Sequence, residues 1–297
     1  MTISLLPQYL VNGILAGMIY AVFTSGYSLI FATSRFMHIA NGGILSLCGM
    51  LTWYCAVSRG IPIAAAILIG MAAALLTGVF IELCIYRHLR ANGLPFLLTM
   101  IVSLGCMTVI QSLLALLLGN NMKYFPSSAM LPTLFIGSVA IPGWQLVCFG
   151  ISGLLLITML LILNHTRIGS EVQAVASNSE MARLIGIRPE KIYLGCMVIG
   201  MAVAAWVGAQ EVICHGINAY GGMSFALVGI VVKAIGGPRN TKGIILMGFI
   251  YGIVENLALL VVPAKWSSSL AFVIFVVIVL LRATPQRVAM EKLGGGL

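Results

Sequence analysis

The sequence predicts an all-α fold, a polytopic transmembrane helical bundle with about eight to nine membrane segments, at least one of them short or broken. Three observations carry this prediction. Of 297 residues, 61% are hydrophobic and only 8% charged, at a mean hydropathy of +1.10, whereas a water-soluble domain carries roughly a quarter charged residues. The apolar residues fall in long runs, several close to the ~20 residues that cross a hydrocarbon core. The charges collect in the connections between those runs. Such a chain has too little polar surface to face water all round, so residues 1–297 are expected to form one transmembrane domain.

Taken in order, the first run is Tyr9 to Ala32, with Gly13 and Gly17 in the GxxxG spacing that lets a neighbouring helix approach closely. Its leading stretch, MTISLLPQYL, lacks the basic n-region of a cleavable signal peptide. The second run, Ile39 to Val57, opens with the polar, flexible IANGG (Asn41, Gly42, Gly43), and Arg59 and Pro62 close it. The third, Ile63 to Tyr86, is rich in Ala and ends in YRHLR; the fourth spans Phe96 to Gly119. Residues 120–143 are irregular, with Pro126, Pro132, Pro142 and one cation, Lys123. A fifth run, Trp144 to Asn164, leads into a polar island at 165–194, and a sixth, Tyr193 to Ile213, leaves it. After a Gly-rich turn, Gly216 to Gly222, comes a run from Phe225 to Ile235, too short for a regular span and expected to be a half-helix lining a cavity. GGPRNTKG separates it from Ile244 to Val262, which carries a second GxxxG at Gly248 and Gly252. The last run, Ser269 to Leu281, gives way to a polar tail at 283–297, preceded by Arg282 and containing Arg287 and Lys292.

The island, HTRIGSEVQAVASNSEMARLIGIRPEKIYL, holds three of the seven acidic residues. Ser177 followed by Glu180 reads as a capping box, Gly186 as a left-handed terminator, and Pro189 lies beyond it. A helix is expected between them: Ser177, Asn178, Ser179, Glu180, Met181, Ala182, Arg183, Leu184, Ile185, Gly186. Spacing alone leaves it either a docking element or a helix lying at the membrane surface. Lys and Arg favour the cytoplasmic side. With the island and tail inside, Arg35, Arg87, Arg90, Arg239 and Lys242 fall inside as well, and 120–143 falls outside; Arg59 and Lys265 are the exceptions. Nine crossings with the N-terminus outside and the C-terminus cytoplasmic fit these charges.

Catalytic chemistry is excluded by what the chain lacks. It has no Asp, so Asp-dependent Mg²⁺ or phosphoryl-transfer chemistry is not housed here. GGPRNTKG has Lys242 followed by Gly243, not by Ser or Thr, and is no phosphate loop. The seven cysteines form no metal spacing and read as small buried hydrophobes, and the four histidines sit at segment ends. Ionisable groups inside apolar runs are costly and mark function. Lys233 and Glu255, with the adjacent Asn256, either line a polar route or pair as a structural salt bridge; Glu82 and Glu211 read as interfacial or packing charges.

VNGILAGMIYAVFTSGYSLIF followed by IANGG, then IELCIYRHLR, TRIGSEVQAVASNSEMARLIGI, NAYGGMSFALVGIVVKAIGG and GIILMGFIYGIVENLALL stand in an order that resembles the integral-membrane permeases of ABC importers for branched-chain amino acids, the leucine/isoleucine/valine type. The likeness covers nearly the whole chain. It departs where the family's segment-two His is Asn41 with His38 displaced upstream, where Lys233 replaces a small apolar residue, and where Pro-Arg-Asn-Thr-Lys-Gly replaces the family's Gly-Ser-x-Pro-Gly; Glu255 matches a family acidic position. The resemblance implies a subunit in a bacterial or archaeal inner membrane, with no catalytic site or cofactor of its own. It implies a second permease chain, identical or paralogous, two cytoplasmic ATPases that bind ATP and Mg, and an extracytoplasmic binding protein. The island helix would couple to an ATPase through Met181, Leu184 and Ile185. Asn41, Gly42, Gly43, Lys233, Glu255 and Asn256 are the pathway candidates. The departures keep open the import of another small polar solute, such as urea or an amide. A stand-alone secondary transporter is a weaker alternative, since no internal repeat is visible.

Overall fold

The computed structural model describes residues 6–93, 95–126, 131–136, 139–237 and 241–294. Among these lie eleven helices and one β-hairpin: α1 (Leu6–Ser34), α2 (Ala40–Trp53, extended by a π-turn Tyr54–Ser58), α3 (Ile63–Ile81, extended through a π-turn Glu82–Tyr86 to Ala91), α4 (Phe96–Leu118), β1 (Thr133–Ile136), β2 (Val139–Pro142), α5 (Gly143–His165), α6 (Arg167–Ser177), α7 (Ser179–Leu184), α8 (Pro189–Cys214), α9 (Gly222–Gly236), α10 (Thr241–Ala258) and α11 (Ala264–Gly294). Seven of them (α1 to α5, α8 and α10) are long and apolar enough to cross a membrane, and α9 and residues Trp266–Leu281 of α11 are shorter apolar helices. Arg239, residues 295–297 and the side chains of Lys265, Arg282, Arg287 and Lys292 lie outside what is described.

The bundle is built around α1, α2 and α8, whose apolar stretches are mostly buried. Helices α3, α4 and α5 turn long aliphatic side chains outward (Leu76, Leu116 and Leu154 are each well exposed), as a lipid-facing shell does. The two GxxxG pairs are packed against each other. A Cβ on Gly17 would meet the backbone of Phe249 at 2.9 Å, one on Gly248 the Cα of Ala21 at 2.6 Å, and one on Gly252 the backbone nitrogen of Gly17 at 2.2 Å. Without side chains at these positions, α1 and α10 come into backbone contact.

Two helices begin inside the bundle. Arg35, at φ 61 the one non-glycine residue with positive φ among those described, ends α1. The chain then turns inward through buried Phe36, His38 and Ile39 before α2 starts. Likewise α9 starts in the interior: Gly222 presses on the backbone of Gly42, its N–H donates to Ser46 Oγ at 2.9 Å, and Phe225 packs its ring on Tyr20 and Phe23, midway along α1. From there α9 runs to the end of the bundle where α1 finishes, so it is a half-helix, as the short run at Phe225–Ile235 predicts.

The bundle's two ends differ. At one end, the Gln8 carboxamide makes two hydrogen bonds to the backbone of Ala140, Lys123 and Ile217 form a two-residue bridge, and Trp53 Nε1 donates to the Tyr124 carbonyl at 2.9 Å. These ties bind the 120–143 connection, hairpin included, across the starts of α1 and α5 and the ends of α2 and α8. The opposite end carries Arg35, the end of α3, and α6 and α7.

Candidate functional sites at the two ends of the bundle

A cavity of about 460 Å³ opens at the hairpin end. Helix α1 contributes Asn12, Leu15, Ile19 and Tyr20; the end of α8 and the turn after it contribute Glu211, His215 and Asn218; α9 adds Ser224 and Phe225; α10 and α11 add Glu255, Asn256 and Ser268. Glu255 is the best-supported side chain in it. Its carboxylate accepts a hydrogen bond from Ser268 Oγ, and Tyr20, which lines the same cavity, is held edge-on by Tyr251 with ring centroids 4.8 Å apart. Asn256 donates Nδ2 to its own helix at the Gly252 carbonyl, 3.0 Å away. On the opposite wall, Glu211 Oε2 lies 3.2 Å from His215 Nδ1, and this carboxylate raises the His215 imidazole above its ordinary value. The wall thus combines two carboxylates and several neutral hydroxyl and amide groups with aliphatic and aromatic surface. Such a cavity suits a small solute that is polar at one end.

The other pathway residues of the sequence reading lie away from this cavity. Lys233 and Glu255 do not pair: α9 and α10 are antiparallel, and the two residues occupy opposite ends of the bundle. Lys233, buried near the end of α9, sits with Nζ over the Phe31 ring and has no hydrogen-bond partner. Asn41 is buried with both amide atoms unpartnered, while Gly42 packs on Gly222 and Gly43 on Ile110 and Met107. Glu82 is buried at the start of the π-turn and pairs with Arg90, eight residues and about two turns further on, as a packing charge. Arg90 also lies over the Tyr193 ring at 4.8 Å, joining α3 to α8.

At the opposite end α7 projects from the bundle. Its N-cap is Asn178, not Ser177. Ser177 is the last residue of α6, whereas Asn178 has the extended backbone (φ −154, ψ 109) that capping needs, and its Oδ1 accepts from the N–H groups of Glu180 at 3.0 Å and Met181 at 3.1 Å. The capping box is therefore replaced by a single side chain serving two donors. Gly186, at φ 87, closes the helix as expected. Its N–H bonds to Arg183 and that of Ile187 to Ala182, the two bonds of a Schellman motif. Arg183 pairs with Glu190 on α8, and Ala182 is the buried residue of α7. Met181 is 61% exposed, Leu184 81% and Ile185 74%. A helix capped at both ends thus leaves three apolar side chains largely exposed among the described residues.

Residues 9–279 match the family model described as "Branched-chain amino acid transport system / permease component". The chain belongs to this family. It is 24% identical to the high-affinity branched-chain amino acid transport system permease protein LivH of Escherichia coli (strain K12), over 93% of this chain and 94% of that protein. Identity to BraD of Pseudomonas aeruginosa, a permease protein of the same description, is 25% over the same shares. The fold is also similar to a chain in the structure of PsaBC from Streptococcus pneumoniae in complex with Fab, at a TM-score of 0.53 and 11% identity over 94% of both chains. The permease is accordingly a membrane-embedded transport component and not a catalyst. Tyr20 and Ser268 are the site residues that sequence reasoning misses: nothing distinguishes a lone Tyr or Ser in an apolar run from a packing residue until the partner carboxylate is located.

Proposed function

We propose that this chain is the permease subunit of an ATP-driven importer of branched-chain amino acids, forming one transmembrane domain that lines the translocation pathway. The observation that carries the reading is α7. It is a helix capped at both ends that exposes Met181, Leu184 and Ile185 beside Arg183 and Arg188, on a chain that has no phosphate loop of its own. In this reading α7 is the coupling helix, seated in a groove of a cytoplasmic ATPase that binds ATP and Mg. The hairpin end then faces outward, with the N-terminus outside and the C-terminus in the cytoplasm of a bacterial or archaeal cell, and the distribution of Arg and Lys supports this orientation. The cavity with Glu255 and Asn256 becomes the outer part of the pathway, loaded by an extracytoplasmic binding protein. A second permease, identical or paralogous, completes the assembly. Closure of the ATPases would move the coupling helices and switch the side to which the pathway opens.

The test is co-purification. Met181→Glu together with Leu184→Glu places two charges on the docking face without touching the caps, and should cut ATPase recovery with the permease at least about tenfold, the cost of roughly 1.4 kcal/mol of binding. Full recovery would remove α7 from the interface. Uptake of leucine by the permease alone in liposomes would overturn the importer-subunit reading.

A further inference from the structure

The geometry points to Arg35 as a positioning residue that links the coupling helix to the substrate cavity through α1. This inference rests on the coupling-helix reading above. Its starting point is how α1 ends. Arg35 adopts φ 61, a backbone that a β-carbon disfavours and that glycine adopts freely, yet the position holds arginine. The guanidinium shows what the position is used for. Its Nη2 donates to the carbonyl of Ala176, on a segment far away in sequence. Ala176 lies in the last turn of α6, where carbonyls have no partner within the helix and the helix dipole favours a cation. Two residues on, Asn178 caps α7. Arg35 therefore holds the joint between α6 and α7.

The rest of the α1–α6 interface is sparse. A cavity of about 370 Å³ lies there, lined by Ser25, Ser28 and Ala32 of α1 and by Gln173, Ala176 and Ser177 of α6. Beside it, Val172 of α6 packs in a small cluster with Leu29. Past this gap, the solvent-exposed guanidinium bond adds a second tie between α1 and α6 to the Leu29–Val172 contact, and it lies nearer the joint with α7. Beyond Arg35, α1 is a 29-residue helix, roughly 43 Å long at 1.5 Å per residue. The same helix carries Asn12, Leu15, Ile19 and Tyr20 into the cavity at the other end. It is locked to α10, and so to Glu255, by the interleaved glycines. A push on α7 thus reaches the cavity along one rigid element whose near end Arg35 grips.

The experiment uses the permease co-purified with its ATPases and reconstituted in liposomes, with ATP hydrolysis and labelled leucine uptake measured side by side. Arg35→Gly keeps the left-handed backbone without steric cost and deletes the guanidinium. Arg35→Lys restores a cationic donor. The expected result for Arg35→Gly is unchanged assembly and melting temperature, ATP hydrolysis close to that of the unaltered complex, and uptake per ATP lowered about tenfold, inside the 5- to 150-fold range of typical couplings. Arg35→Lys should recover part of that loss. Arg35→Gly with full uptake per ATP would overturn the proposal. So would uptake and hydrolysis falling in step with a lowered melting temperature, since that is the signature of a merely structural contact. Failure of the ATPases to assemble with the unaltered chain would instead defeat the coupling-helix reading.

Discussion

Glu255 shows how much of this permease's chemistry rests on single side chains. Its carboxylate accepts a hydrogen bond from Ser268 Oγ inside a bundle of otherwise apolar helices. Glu255→Gln preserves shape and most hydrogen bonding while deleting the charge. Uptake is expected to fall at least about tenfold with the melting temperature nearly unchanged, because intramembrane ionisable groups serve the pathway more than the fold; unchanged uptake would assign Glu255 to packing. His38 offers a test with the opposite emphasis. It lies between α1 and α2, buried against Phe36 and Tyr86, and burial lowers its imidazole to about 3. The unfolded imidazole takes up a proton near pH 6.5 and the folded one does not until near 3, so stability is full above about 6.5 and falls as pH drops below it. The melting temperature in detergent should therefore decline between pH 7 and 5, and His38→Gln should flatten that decline. Parallel curves for the two proteins would show that His38 is not the titrating group. From the sequence, both residues could be picked out only as polar exceptions in apolar surroundings. Their partners, Ser268 for Glu255 and Tyr86 for His38, become visible only in three dimensions.

At the scale of helices, the GxxxG pairs make the most exposed prediction. Gly252→Ala places a methyl 2.2 Å from the Gly17 nitrogen, a contact that only separation of α1 from α10 relieves. A loss of about 1–3 kcal/mol is expected, read as a lowered melting temperature. Gly105→Ala, where a Cβ meets nothing within 4 Å inside α4, should be neutral or slightly stabilising; equal losses at the two sites would contradict the interlock. The sequence shows that these glycines permit close packing, but not that the two motifs pack on each other. It shows the short half-helix α9 through its length, and the end of α7 through Gly186, because both signals are local. It misplaces the start of α7 by one residue, since Ser177 and Asn178 are equally good caps and only the extent of α6 decides between them. Helix α6 itself is missed, although Ile168, Val172 and Val175 stand at helical spacing: the run is short, and its cap, Thr166 accepting from the Gly169 N–H, sits inside a polar stretch. The inward turn before α2 is hidden for the same reason that Arg35 is. A left-handed arginine has no sequence signature.

Over the whole molecule, composition alone separates a membrane bundle from a soluble domain, and the order of motifs places the chain in its family. What composition cannot supply is which elements share an end, and the proposed function depends on that. The structure groups the hairpin with the glutamate-lined cavity at one end, and groups α7, Arg35, Lys233 and the end of α3 at the other. The double-glutamate variant of α7 belongs to this scale, because it tests the assembly of several chains and not the stability of one.

The pairing of α1 with α10 also has a consequence for how the chain is made. Gly17 and Gly252 are in contact when the fold is complete, yet they leave the ribosome 235 residues apart. At about 5–20 residues per second, that gap lasts from roughly ten seconds to a minute. During this interval the first helix lies in the bilayer with its Gly13–Gly17 face not yet covered by α10. Helix α1 can pack on α8 first, through Gly26 and Gly200, but its seam with α10 closes only after nearly the whole chain has been made.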